Sequence, residues 1–213
     1  MLVTSTDTPA TGDLSDAAAA VARGELIVIP TDTVYGLGAN PFDAAATARL
    51  FAAKARPTDM PLPVLVADLA AARTLAAEWP QAAERLAQAF WPGPLTIIVA
   101  AAPSAGLRLG GSGRTVGLRQ PDHPTALALL KATGPLAVTS ANRSGEPPAT
   151  TAADAVRQLG PAVAVCVDAG RAPGEVPSTV VDLSGPEPLV LREGGIGQAE
   201  LRGALGGRAG RPA

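Results

Sequence analysis

Cysteine and histidine are nearly absent from this chain of 213 residues, and each scarcity excludes a kind of chemistry. The single cysteine, Cys166, excludes an internal disulfide and any metal site built from several cysteines. Its apolar neighbours in residues 163–167 predict a core strand with a buried, unreactive thiol. The single histidine, His123, precedes Pro124 at a predicted helix start. We expect it to be a surface or capping residue, not part of a Ser-His-Asp triad or a zinc site.

Long apolar runs and an excess of positive charge are also missing. No stretch approaches the roughly 18 apolar residues of a membrane-spanning helix, and residues 1–7 lack the features of a signal peptide. The net charge of −2 and the pI of about 5.4 argue against a domain-wide basic surface for nucleic acid, although a local basic cleft is compatible with them. We therefore expect a cytoplasmic protein with no membrane partner.

Three nucleotide-binding or hydrolase signatures are absent as well. There is no G-x-x-x-x-G-K-[ST] phosphate loop and no G-x-S-x-G nucleophile elbow. Gly36-x-Gly38 lacks the third glycine and the following helix start of a dinucleotide-binding fingerprint. Any nucleotide chemistry must therefore use another arrangement of residues.

What the chain does contain is a regular alternation of strand and helix patterns. It is 47% hydrophobic but 3% aromatic, so leucine, valine, isoleucine and alanine must fill the core. Asp43, Asp68 and Thr151 predict helix N-caps. The pattern predicts a single α/β domain with a mixed sheet, followed by a short helix and a flexible tail over 198–213. Predicted strands are 26–29, 63–66, 95–99, 115–119, 136–139, 164–167, 178–183 and 189–192, and predicted helices are 14–23, 43–55, 68–78, 80–90, 122–132, 151–159 and 198–205, with residues 1–12 loose.

The segment Pro30–Gly38 is the densest cluster of polar and glycine residues. It follows the buried strand 26–29 and brings together Thr31, Asp32, Thr33 and a tyrosine. We expect its two glycines to let the backbone turn sharply or approach a ligand closely. Such a loop after a buried strand is where open α/β sheets bind ligands, but a hydrogen-bonded turn without a ligand fits the spacing equally well.

Groups that bind anions recur at the predicted ends of strands and helices. Arginine offers a planar fork to carboxylate or phosphate, and serine and asparagine offer short neutral hydrogen bonds. Each one alone is explained by helix capping or surface charge, and their repetition favours a shared anion site. These residues are Lys54, Arg56, Arg119, Ser140, Asn142, Ser178, Thr179 and Arg192.

Taken together, seven ordered motifs resemble the YrdC/Sua5 family of L-threonylcarbamoyladenylate synthases, in its single-domain form. The resemblance covers residues 13–197. The motifs are Pro30-Thr-Asp-Thr-Val-Tyr-Gly-Leu-Gly38, Lys54-x-Arg56-Pro57, Trp91-Pro-Gly-Pro-Leu95, Arg119-x-Pro121-x-His-Pro124, Ser140-Ala-Asn142-x-Ser-Gly145, Ser178-Thr-Val-Val-Asp182 and Leu191-Arg192-x-Gly194.

The resemblance implies a twisted mixed sheet with flanking helices around an open cavity. It also implies that L-threonine, bicarbonate or CO2, and ATP give threonylcarbamoyl-AMP and pyrophosphate. The product would serve the N6-threonylcarbamoyl modification of adenosine in tRNA, through a separate threonylcarbamoyl transferase complex. Mg2+ would be carried mainly by the ATP phosphates, with no dedicated protein metal site.

The same resemblance implies roles for individual residues. Lys54 and Arg56 would be catalytic, facing the phosphates and the carbamate. Leu65 stands where many relatives carry a histidine that touches threonine, so one hydrogen bond is lost or replaced. The L-threonine site would comprise Thr33, Leu65, Arg119, Val138 and Ser178, and the ATP site Arg56, Met60, Thr115, Ser140, Asn142, Pro148 and Arg192.

Two other functions compete with this interpretation. A non-catalytic RNA-binding protein could use the same cavity, with weak salt-dependent affinity, although the acidic pI counts against it. A carbamoyltransferase module like that of hydrogenase-maturation proteins is the other alternative. Those proteins are much longer and carry cysteine-rich zinc segments that this chain lacks.

Overall fold

The computed structural model describes residues 2–5, 11–174 and 176–206, with side chains from residue 14 onward. The strands in this part of the chain are β1 (Leu2–Ser5), β2 (Leu26–Ile29), β3 (Gly36–Ala39), β4 (Val64–Leu65), β5 (Leu95–Ala100), β6 (Thr115–Arg119), β7 (Leu136–Ser140), β8 (Val163–Asp168), β9 (Thr179–Asp182) and β10 (Leu189–Arg192). The helices are α1 (Thr11–Ala22), α2 (Ala44–Lys54), α3 (Leu69–Leu75), α4 (Gln81–Phe90), α5 (Pro124–Thr133), α6 (Ala152–Leu159) and α7 (Gln198–Ala204).

These strands form one mixed sheet in the order β1-β8-β2-β3-β7-β4-β6-β5-β9-β10. Parallel pairs such as β2 with β8 and β5 with β9 occur beside antiparallel pairs such as β3 with β7. The predicted closing pair is β9 and β10, which run antiparallel. The predicted α/β class with a mixed sheet is confirmed.

Apolar layers cover both faces of this sheet, as the continuous apolar run of β2 predicts. Because side chains alternate along a strand, Leu26 and Val28 join one buried layer while Ile27 and Ile29 join the other. Helices α1 and α5 pack against each other on the second layer, to which Leu129 of α5 belongs. The sheet is therefore a central element with its core on both sides.

The sheet curves strongly. Asp32 follows β2 and Arg119 ends β6, and three strands separate β2 from β6. In a flat sheet these two strands would lie about 19 Å apart, beyond the combined reach of the two side chains. The Nη2 atom of Arg119 nevertheless lies 2.6 Å from Oδ1 of Asp32. Curvature thus brings the ends of distant strands together around one space.

The expectation that residues 1–12 are loose is wrong for part of this segment. Residues Leu2–Ser5 form β1, which pairs in parallel with residues 165–168 of β8. Helix α1 begins at Thr11, before the predicted start at residue 14. The physical reason is that β8 would otherwise be an edge strand with unpaired backbone groups.

The expected sharp turn at Gly36 and Gly38 is also wrong, because both residues belong to β3. The alternative, a close approach of this backbone to a ligand, stays a prediction. A Cβ atom on Gly36 would lie 2.5 Å from Cγ1 of Val138, and one on Gly38 would lie 3.4 Å from Cγ1 of Ile27. These glycines make room for side chains of the neighbouring strands β7 and β2. They do so in extended backbone, and no sharp turn is involved.

The predicted capping residues are confirmed. Asp43 accepts from backbone N–H groups at the start of α2, and Thr151 does the same for α6. Asp68 caps α3, but this helix ends at Leu75, not near residue 78, because Ala76 leaves it to form an isolated bridge with Ala101.

The C-terminal helix packs onto the domain. Leu201 of α7 is buried, and Nη1 of Arg85 in α4 donates to the carbonyl of Leu205 at 3.1 Å. The predicted flexible tail falls mostly on residues 207–213, which lie outside the described residues, and the domain boundary at 197 stays a prediction. None of the described helices is long and apolar enough to span a membrane.

Candidate active site

Two adjoining cavities lie where the curved sheet brings the strand ends together. The Arg119 cavity, of about 180 Å³, is lined by residues after β2 and by the ends of β4, β6 and β7. The Met60 cavity, of about 410 Å³, is lined by the loop after α2 and by β5, β6, β9 and β10. Five residues line both cavities and form their common wall: Arg56, Pro63, Thr96, Ser178 and Arg192.

Most of the predicted site residues meet in these cavities. The Arg119 cavity contains all five residues predicted to bind threonine, namely Thr33, Leu65, Arg119, Val138 and Ser178, together with Ser140. The Met60 cavity contains Met60 and Thr115, which were predicted to contact ATP. The predicted cations Arg56 and Arg192 stand between the two groups, on the common wall.

Four residues predicted to bind anions or ATP do not line either cavity, namely Lys54, Asn142, Pro148 and Thr179. Thr179 is buried, and its hydroxyl donates to the carbonyl of Ile196 at 2.8 Å. The ammonium of Lys54 is buried and donates to the carbonyl oxygens of Ser140 and Asn142 and to Oδ1 of Asn142. The Nδ2 atom of Asn142 in turn donates to the carbonyls of Arg143 and Glu146. Lys54 and Asn142 thus shape the loop after β7, and through it the position of Ser140.

Pro148 lies elsewhere. It lines an open cavity of about 790 Å³ formed by the loop after β7 and by α6. This cavity carries both signs of charge, with Arg143 and Glu146 on the loop and an ion pair between Arg157 and Asp154 on the helix.

The pKa of Lys54 is lowered to about 8, first by burial and then by the nearby charge of Arg56. Its three N–H donors face three oxygen acceptors, which favours the charged form and limits this cost. At pH 7 Lys54 is therefore mostly charged, and its hydrogen bonds hold the ammonium in place just behind the cavity wall.

Two threonine hydroxyl groups in the loop after β2 are linked by hydrogen bonds to Arg119. Nη1 of Arg119 donates to Oγ1 of Thr33 at 3.0 Å, and that oxygen lies 3.0 Å from Oγ1 of Thr31. Because the single hydroxyl proton of Thr31 is donated to the carbonyl of Val34, the Thr33 hydroxyl must donate to Thr31. Thr33 therefore meets a ligand as an acceptor.

Arg119 itself is held from three sides. Its Nε donates to the carbonyl of Gly93 at 3.0 Å and its Nη2 to Oδ1 of Asp32 at 2.6 Å. The backbone N–H of Asp122 donates to the same Oδ1 at 3.1 Å. Burial lowers the pKa of Arg119 while the Asp32 carboxylate opposes that effect.

On the common wall, Ser178 forms hydrogen bonds with both Thr96 and Arg192. Its hydroxyl lies 2.8 Å from Oγ1 of Thr96 and 3.2 Å from Nη2 of Arg192, and its carbonyl accepts from Nε and Nη2 of Arg192. The pKa of Arg192 is lowered by burial and by the charges of Arg119 and Arg56. Arg56, Arg119 and Arg192 therefore line one cavity and are close enough for their charges to interact, which suits anionic ligands.

Leu65 occupies β4 beside Arg119 of β6 and is buried in the cavity wall. An apolar side chain at this position offers no hydrogen bond to a ligand. It can contact a methyl group or another apolar part of one.

Some contributors were not predicted as site residues. The sequence places Thr31 and Asp32 in the Pro30–Gly38 segment but assigns them no role, and it does not single out Thr96. The available signal for Thr96 is a single polar residue within the apolar strand β5.

The single cysteine and the single histidine line neither cavity. Cys166 is buried as expected, and burial raises the pKa of its thiol to about 12. The expectation that His123 is a surface or capping residue is wrong, because this residue occupies the N-cap position of α5 without a side-chain capping bond and is half-buried. Within the described residues, no group of three or more His, Cys, Asp or Glu side chains is arranged to hold a metal ion.

The amino-acid sequence that forms this fold and site matches a known protein family. The Sua5/YciO/YrdC family model, described as "Telomere recombination", matches residues 19–194. The chain belongs to the Sua5/YciO/YrdC family. A Mycobacterium tuberculosis relative is 47% identical over 190 residues, covering 89% of this chain and 88% of that protein.

Longer members of the Sua5/YciO/YrdC family are also similar to this chain. Threonylcarbamoyl-AMP synthase of Bacillus subtilis is 40% identical, with coverage of 94% of this chain and 59% of that protein. The crystal structure of Pyrococcus abyssi Sua5 complexed with L-threonine has a TM-score of 0.89 and 36% identity. It is matched over 97% of this chain and 61% of that one. The chain therefore spans about three fifths of these longer relatives.

Proposed function

We propose that this protein is a threonylcarbamoyl-AMP synthase, which uses L-threonine, bicarbonate or CO2, and ATP. One observation carries the proposal: all five residues predicted to bind threonine line a single cavity of about 180 Å³. That cavity shares a wall carrying Arg56 and Arg192 with a second cavity large enough for further ligand atoms. Homologues with 40% identity or more that bear the synthase name support the same reaction.

The Arg119 cavity is proposed as the amino-acid end. Arg119 would bind the threonine carboxylate, because a guanidinium fork matches its two oxygens. Thr33 would accept a hydrogen bond from the substrate, and the hydroxyl of Ser178 would supply a second polar contact. Leu65 and Val138 would contact the methyl group of threonine.

The reaction would proceed at the common wall. The neutral threonine amine attacks CO2 and releases one proton to solvent, which gives a carbamate, and a carbamate oxygen attacks the α-phosphorus of ATP. The bond from that phosphorus to the pyrophosphate oxygen breaks, and pyrophosphate leaves. Charge builds on phosphate oxygens, so Arg56 and Arg192 would stabilise the transition state by position and charge.

Other contacts with ATP would come from Met60 and Thr115 in the Met60 cavity and from Ser140 at the Arg119 cavity. Lys54 would contribute a fixed positive charge and hold Ser140 through the loop carbonyls. Asn142 and Pro148 lie outside the two cavities, so their predicted ATP contacts would require the loop after β7 to approach the nucleotide.

Mg2+ would arrive with the ATP phosphates, where it neutralises charge on their oxygens. The product would pass in the cytoplasm to a separate threonylcarbamoyl transferase complex that modifies tRNA. RNA binding by this chain itself would be weak, since its net charge is −2.

The test is pyrophosphate release from ATP by the purified protein, with L-threonine and bicarbonate added singly and together. Release that requires both, with threonylcarbamoyl-AMP detected by mass spectrometry, is the expected result. A folded sample that binds RNA in a salt-dependent manner and releases no pyrophosphate would instead favour the non-catalytic alternative.

A further inference from the structure

We propose that Asp32 makes the Arg119 cavity selective for the amino acid and leaves the common wall to the polyphosphate. Its carboxylate compensates the charge of Arg119 but not the charges of Arg56 and Arg192. The proposal rests on the proposed synthase function. Asp32 lines neither cavity. It therefore acts through Arg119, as a positioning residue that also sets the local charge.

The Asp32–Arg119 pair is fixed and shielded. The side chains of Arg119 and Asp32 are 8% and 11% exposed, respectively. Oδ1 of Asp32 also accepts from the backbone N–H of Asp122, which anchors the carboxylate independently of Arg119. Salt and solvent screen such a pair weakly, so its compensation of charge persists at the cavity.

Arg119 nevertheless keeps donors for a ligand. A guanidinium carries five N–H groups. Three of them are used within the described residues, by Gly93, Thr33 and Asp32. Two therefore remain, which is the number that a carboxylate accepts in a bidentate contact. This end of the site offers hydrogen bonds without a net positive charge, which suits a monovalent carboxylate.

The other two arginines differ in this respect. Arg56 donates to the carbonyls of Met60 and Pro61, and Arg192 donates to Ser178. All of these acceptors are neutral, and neither arginine forms an ion pair with a described carboxylate. Their uncompensated charges stand together on the common wall. A polyanion is attracted there more strongly than to Arg119.

Removal of the Asp32 charge should therefore change which anions enter the amino-acid end. With three uncompensated guanidinium groups, pyrophosphate would bind at Arg119 as well and exclude L-threonine. With Asp32 present, the two ligands bind together. The distinction depends on charge, so it can be tested by binding alone, without turnover.

The experiment is a calorimetric titration of L-threonine with and without saturating pyrophosphate, on wild-type protein and on Asp32→Asn. Asparagine retains an oxygen that can accept from Arg119 and Asp122 but carries no charge. We expect pyrophosphate to leave the apparent Kd of L-threonine within about twofold in the wild type and to raise it about tenfold or more in the variant. Glu25→Gln, which removes a carboxylate from an exposed pair with Arg23, is the matched control and should behave as wild type.

Competition between L-threonine and pyrophosphate in the wild type would overturn the proposal. So would an Asp32→Asn variant that binds pyrophosphate but binds L-threonine equally well with and without it. Circular dichroism establishes that the variant is folded, and Asp32→Ser replaces it if asparagine is not tolerated. A wild-type protein that binds no L-threonine would contradict the synthase function itself, which separates the two failures.

Discussion

Lys54 and Asn142 are 88 residues apart in the chain, yet the Lys54 ammonium contacts two oxygens of Asn142, one on the backbone and one on the side chain. A third contact, to the carbonyl of Ser140, completes its set of donors. The second lysine of the chain, Lys131, is exposed on α5. A buried lysine that binds backbone carbonyls organises a loop as well as carrying charge.

The first prediction concerns the pH dependence of stability at Lys54. Its pKa is about 8 in the folded protein and near the ordinary lysine value of 10.5 in the unfolded chain. Between these values the unfolded state binds more protons, so this residue makes the folded state relatively more stable as the pH rises from 8 towards 10. The free energy of unfolding of the wild type should rise by about 1 to 3 kcal/mol relative to Lys54→Met over that range.

Denaturant unfolding at several pH values measures this difference. Lys131→Met controls for the loss of a lysine charge elsewhere. A difference between wild type and Lys54→Met that stays constant from pH 7 to 10 would show that Lys54 does not titrate in this range.

The second prediction concerns the Thr33 acceptor. Thr33→Val keeps the shape but removes the oxygen that accepts from Arg119. The KM for L-threonine should rise about tenfold or more, because a hydrogen bond to a charged group is lost and Arg119 is less well oriented. Thr33→Ser retains the oxygen and should stay close to wild type. Steady-state kinetics with L-threonine varied decides the matter, and a wild-type KM in the valine variant would contradict it.

The third prediction concerns Thr96 on the common wall. Thr96→Val removes the hydroxyl that lies 2.8 Å from that of Ser178. We expect a loss of about 1 kcal/mol in the free energy of unfolding and weaker L-threonine binding, since Ser178 is less well fixed. Thr74→Val removes an exposed hydroxyl from α3 and serves as the control for stability. Equal L-threonine affinity in wild type and Thr96→Val would argue against a role for this contact.

The fourth prediction concerns Gly110, in the loop between β5 and β6, which packs against the segment after Arg56. Gly110 has a φ of +77°, and an added Cβ atom would lie 2.5 Å from the carbonyl oxygen of Thr58 and 2.7 Å from Cζ of Phe51. Gly110→Ala should therefore destabilise the fold by about 2 to 4 kcal/mol. It should also raise the KM for ATP, because the displaced segment carries Met60.

Gly106→Ala is the matched control for this change. Gly106 also has a positive φ, of +68°, but no atom lies within 4 Å of an added Cβ. It should cost about 1 kcal/mol from backbone strain alone. Equal thermal stability of the two variants would show that the close packing at Gly110 is not responsible.

Local patterns in the sequence determined most of the elements. Local contacts, between residues a few positions apart, govern the apolar run of β2 and the caps Asp43 and Thr151. The strand and the two helix starts can therefore be predicted from the residue sequence alone. The same patterns gave the mixed α/β class. They failed for β1 and β3, because β1 forms by pairing with the distant strand β8 and the glycines of β3 fit against side chains of neighbouring strands.

The motifs also indicated the candidate site residues, but not which of them lie in contact. Arg119 is 87 residues from Asp32, and Thr96 is 82 from Ser178. Curvature of the sheet brings Arg119 to Asp32, whereas the direct pairing of β5 with β9 brings Thr96 to Ser178. The packing of α2 and of the loop after β7 places Lys54 against loop carbonyls and Pro148 in a separate cavity. Which charges are compensated depends on distances of a few ångströms across the fold, and tertiary structure alone sets those distances.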